Sequence, residues 1–169
     1  MYGESRKYFN AVDVIVKNIE YAKNCWVAGV KFSNSPDRFI NVVNSTKITI
    51  YGCAMYGARD ISPGRGYGIA VQRSSYCLFE NNIGQKQRHS IILAHSAHSN
   101  VIAYNYTLEN DDGEDAEYNQ DICLHGNYPY ANLFEGNLVE LIWADDYHGA
   151  NGPYNTFVRN QESPGILVV

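Results

Sequence analysis

Three histidines carry the first chemical signal in this chain. His95 follows the apolar run IILA, His125 follows ICL, and His148 follows WADDY. The last two open parallel segments, HGNYPYANLFEGN and HGANGPYNTFVRN, in which His, Gly, Asn, Phe and a final Asn recur 23 residues apart. Imidazole exchanges protons near neutral pH and is the commonest metal-binding side chain. Gln72 fills the same place one segment earlier, and Asp146 shares the outward strand parity of the row. Three uses of such a row stay open. It can be a turn ladder bonded to backbone beside Gly126 and Gly149, a catalytic or sugar-binding surface, or a site for a divalent transition metal. A second signal is NDDGEDAE, residues 110–117. Asp111, Asp112, Glu114 and Asp115 could hold Ca²⁺, which takes several carboxylates; a solvated acidic loop is the competing reading.

Such a row needs elements that repeat. The final asparagine of the two segments defines a column that runs back through Asn160, Asn137, Asn105 and Asn82, then Cys53 and Val30. Three positions earlier, Val27, Ile50, Phe79, Ile102, Phe134 and Phe157 are all apolar. Between these columns lie short β-branched and aromatic runs, too short for helices. A turn of about 23 residues, twice lengthened by insertion and free of helices, predicts an all-β solenoid whose turns stack at about 4.8 Å. At each bend the backbone loses strand partners. A buried Asn offers one acceptor and two donors, and it tolerates the left-handed conformation that a bend needs.

The stacked apolar columns, the ladder Asn82–Asn105–Asn137–Asn160 and the period resemble the right-handed parallel β-helix of the pectate-lyase-like superfamily. The resemblance covers roughly residues 11–169 and implies one domain of about seven turns. It also implies a secreted or cell-surface protein that binds or processes polysaccharide on the outer face of its first sheet. By that plan the first-sheet strands are 68–72, 90–95, 121–125 and 142–147. The long segments 54–67 and 107–120 wall a groove. Ile69 and Val71, Ile92 and Ala94, and Ile122 and Leu124 point inward.

His95, His125, His148 and Asp146 are then the catalytic candidates, with Gln72, Arg59, Arg65, Arg88 and Tyr118 for substrate. A lyase of this kind needs a base and a cation against the enolate, in some cases Ca²⁺. A hydrolase needs clustered carboxylates. Asp145 and Asp146 point to opposite faces if both lie in a strand, which makes a poor pair. The rival is a structural or adhesive module without chemistry.

The totals narrow the field. The formal charge of −5 argues against a phosphate backbone as partner, and no run of 18 apolar residues suggests membrane insertion. Cys25, Cys53, Cys77 and Cys123 form no CxxC; Cys25 and Cys77 share a column two turns apart, beyond disulfide reach, and read as buried thiols. The tail GILVV reads as the first strand of another turn. It predicts end-to-end stacking with the rest of a longer chain or with other subunits. The Asn105-Tyr-Thr sequon falls on a ladder position and reads as accidental.

Overall fold

The computed structural model describes residues 17–110 and 120–162, which wind into six stacked turns of three strands each. The first sheet is built from β1 (Lys17–Glu20), β4 (Ile40–Val43), β7 (Tyr67–Gln72), β10 (His89–Ala94), β13 (Ile122–His125) and β16 (Ile142–Asp145). The second holds β2 (Trp26–Ala28), β5 (Thr49–Tyr51), β8 (Leu78–Glu80), β11 (Val101–Ala103), β14 (Leu133–Glu135) and β17 (Thr156–Val158). The third holds β3 (Lys31–Ser33), β6 (Ala54–Tyr56), β9 (Ile83–Gln85), β12 (Tyr106–Leu108), β15 (Leu138–Val139) and β18 (Gln161–Glu162). Every pairing is parallel and joins one turn to the next. The molecule is a parallel β-helix.

The core is a set of columns. Val27, Ile50, Phe79, Ile102, Phe134 and Phe157 lie in register across the second sheet. The rings of Phe134 and Phe157 stack with centroids 4.7 Å apart. The first sheet contributes Ile40, Ile69, Ile91, Ile122 and Ile142 as a second buried column. Each fully buried Ile or Phe contributes about 1.5–3 kcal/mol from water exclusion, so a column one residue wide is a large share of the stability.

The asparagine ladder holds the corner between the second and third sheets. Asn105 Oδ1 accepts from Asn82 N and Nδ2, both at 3.0 Å. Its own Nδ2 donates to Phe79 O and Asn137 Oδ1, both at 2.9 Å. Asn137 repeats this with Asn160. Cys53 begins the row, donating its amide to Asn82 Oδ1 at 3.0 Å. A second ladder, which the asparagine column left unread, occupies the preceding corner through Asn100, Asn132 and Asn155. Cys77 stands in that row, with its amide on Asn100 Oδ1 at 3.0 Å.

The structure corrects three expectations. The left-handed residue of each corner is the one before the ladder Asn: Asn81, Tyr104, Gly136 and Arg159 have φ of 54, 54, 63 and 56°. The ladder side chain braces a strained neighbour instead of taking the strain itself. In β10 it is Ile91 and Leu93 that enter the core, while Ile92 and Ala94 face outward. Cys25 is exposed, whereas Cys53, Cys77 and Cys123 are buried. Asn105 is 1% exposed, so its sequon is closed to glycosylation in the folded chain. The expected strand in GILVV, and the acidic segment with Asp111, Asp112, Glu114, Asp115 and Tyr118, lie outside the described residues.

Candidate functional site

Outward residues of the first sheet floor a cleft of about 750 Å³. Strand pairing sets Ala70, Ile92, Cys123 and Trp143 side by side. Two residues further along the strands, Gln72 stands beside Ala94 and His125 beside Asp145. The floor is therefore apolar along one row and polar along the next. Arg38, Tyr67, Arg88 and His89 line it as well, together with His95, Tyr147 and His148.

His125 Nδ1 lies 2.7 Å from Asp145 Oδ2. A carboxylate only accepts, so this nitrogen donates. In the neutral ring the lone pair is then on Nε2. Burial pushes the Asp145 carboxyl up, but hydrogen bonds from His125 and the Tyr147 amide outweigh it, and the net shift is downward. The Cys123 Sγ also reaches Asp145 Oδ2, at 3.3 Å. Burial, and then the Asp145 charge, hold this thiol well above its ordinary pKa. The His125 ring stacks on Tyr147 at 5.5 Å and meets His148 edge-on at 4.6 Å. Around it, side chains from β13, β16 and the following loop make one packed unit.

The opposite arrangement is cationic. His89 Nδ1 donates to Gln120 O at 2.8 Å, so its Nε2 accepts from Arg88 Nη1 at 3.2 Å. Burial pulls its pKa down to about 4, which keeps the ring neutral at pH 7. Its ring stacks on Tyr67 at 5.3 Å. Arg88 Nη1 also donates to the Tyr67 hydroxyl at 3.3 Å, and the Arg38 guanidinium lies 5.3 Å over the Tyr67 ring. Burial raises the Tyr67 hydroxyl pKa against the pull of both arginines. Among the described residues, Arg88 Nε is buried without an acceptor.

The three histidines do come together, but not as a ladder. His125 pairs in register with Asp145, and His148 lies beyond the end of β16. The pairing offset is 20 residues across β13 and β16 but 23 across β14 and β17. Three extra residues therefore enter the corner after β16, and this loop carries His148 back to within 5.7 Å of His95, centroid to centroid. Asn127 Nδ2 donates to His95 Nδ1 at 2.8 Å, a role other than bonding backbone at a glycine bend. Asp146 is exposed just past β16, and it is Asp145 that reaches His125. Gln72 and Arg88 line the cleft. Arg59 is exposed outside it, and Arg65 is paired with Asp60 at 3.2 Å.

Of the aromatic residues on the walling segments, Tyr67 lines the cleft while Tyr56 lies in the third sheet. Tyr67 and Trp143 were expected to face the groove and do line it, whereas His89, Cys123, Asp145 and Tyr147 were passed over as parts of one site. The signal available for the Asp145 contact was the shorter spacing between ICLH and IWAD. Comparison of the chain with protein-family models, with curated proteins and with solved structures finds no match.

Proposed function

We propose that this β-helix is a secreted or cell-surface module of the pectate-lyase-like kind that binds and processes an acidic polysaccharide in its first-sheet cleft. One observation carries the reading: the His125–Asp145 pair, at 2.7 Å, shares a cleft with Arg38, Arg88 and aromatic faces. Trp143 and Tyr147 offer faces for sugar rings. The two guanidiniums suit the carboxylate of a uronate. His125, oriented by Asp145, takes the proton next to that carboxylate, and the arginine end holds the charge that develops. Asp145 is the single carboxylate lining the cleft among the described residues, which favours elimination over two-carboxylate hydrolysis.

The test is incubation with a panel of acidic and neutral polysaccharides, followed by ultraviolet absorbance of unsaturated ends and by reducing ends. Uronate polymers are expected to give both signals and neutral polymers neither. Reducing ends without unsaturation would turn the reading to hydrolysis. No product and no retention on any glycan would leave the structural or adhesive role.

A further inference from the structure

Two hydrogen-bond donors converge on one oxygen beneath the cleft. The Cys123 thiol and the His125 Nδ1–H both meet Asp145 Oδ2, at 3.3 and 2.7 Å, and Cys123 Sγ lies 3.9 Å from His125 Nδ1. We infer that Cys123, His125 and Asp145 form a site for a zinc-like divalent transition metal. The inference goes beyond the glycan reading, since it needs no glycan.

The donor set is the first argument. Sulfur, imidazole nitrogen and carboxylate oxygen together suit zinc and disfavour Ca²⁺ or Mg²⁺, which take oxygen. Geometry is the second. Bond lengths of about 2.0–2.3 Å around a tetrahedral zinc set ligand atoms roughly 3.3–3.6 Å apart. The three ligand atoms here already form a triangle with edges of 2.7, 3.3 and 3.9 Å. Adjustments of about 0.6 Å or less would close it on an ion.

Charge is the third. When the ion enters, the thiol proton leaves to solvent and the imidazole proton moves from Nδ1 to Nε2. A site of one carboxylate charge becomes two anions around a dication, so a buried net charge is neutralised. Access is the fourth. Cys123 is fully buried, while the His125 and Asp145 side chains are 21 and 16% exposed. An ion therefore enters from the cleft and keeps a position facing it. The edge-on His148 ring stands 4.6 Å from His125 and can fill that position. With the proton on Nε2, His125 no longer abstracts protons, so ion and base role exclude each other at this residue.

The test uses the whole chain, stripped with chelator and kept reduced, titrated with Co²⁺ and then Zn²⁺. One Co²⁺ per chain is expected, with a thiolate-to-cobalt charge-transfer band and the intense visible bands of tetrahedral cobalt, all displaced by Zn²⁺. Cys123→Ser should abolish the charge-transfer band, and Cys25→Ser should leave it. Asp145→Asn, at a half-buried position that puts folding at little risk, should weaken Co²⁺ affinity by on the order of tenfold or more. Absence of Co²⁺ binding overturns the site. So does binding that survives both Cys123→Ser and Asp145→Asn, which would place the ion on His95 and His148 or on the acidic segment. Either result leaves the glycan screen to stand or fall separately.

Discussion

Asn105→Ala is expected to cost about 2–5 kcal/mol, a large share of the roughly 5–15 kcal/mol that holds an ordinary domain folded. The substitution strips the acceptor from Asn82 N and Nδ2, the donor from Phe79 O, and one donor from Asn137 Oδ1. Asn82 N is left without its acceptor and Phe79 O loses a donor, at about 1–3 kcal/mol each, while Asn82 Nδ2 keeps Ile50 O and Asn137 Oδ1 keeps the amide of residue 105. Tyr104, beside it, then holds a φ of 54° with the ladder broken at its corner. Cys53→Asn is the matched opposite. It adds a rung where a thiol now ends the row, and is expected to change stability by about 1 kcal/mol or less. Urea unfolding followed by circular dichroism reads both. Equal losses at the two positions would mean that the ladder is packing and not hydrogen bonding.

That ladder was legible because its physics demands the same residue type at the same corner of every turn. The core columns were legible for a similar reason: each stacked Phe or Ile has another apolar side chain above and below. The cleft was less so. The run HSIILA in β10 offers no alternation, because Ile91 and Leu93 enter the core while Ile92 floors an apolar part of the cleft. With both faces apolar, parity cannot be read. The His column was drawn on the period of the second sheet, and the three-residue insertion after β16 broke it for the first. The second ladder, through Asn100, Asn132 and Asn155, starts from a cysteine amide like the first but has one asparagine fewer, which weakens its column. Arg38 reaches the cleft from the turn before β4, a position that no spacing in the chain marks.

The second large effect is catalytic. On a uronate polymer that gives unsaturated product, His125→Ala is expected to lower kcat by on the order of 10²–10⁴-fold, the usual share of a positioned base. Asp145→Asn should lower it by on the order of 10²-fold with the fold intact. An amide can turn its NH₂ toward Nδ1, which then accepts, and the free lone pair leaves Nε2. Arg159→Ala serves as the control, since this exposed residue pairs with half-buried Glu135 away from the cleft. Its rate should match the parent. Steady-state kinetics with circular dichroism of each variant decides the point. Equal loss in all three would assign the effect to folding, and no loss in His125→Ala would remove the base.

Nitrogen NMR of the histidine rings, on metal-free protein near neutral pH, probes the idea on which the site rests: that the winding sets Asp145 against Nδ1 of His125 and leaves Nε2 to accept a proton. His125 is expected as the Nδ1–H tautomer in the parent chain, with that preference lost in Asp145→Asn. A ring protonated on Nε2, or a tautomer indifferent to Asp145, would contradict it.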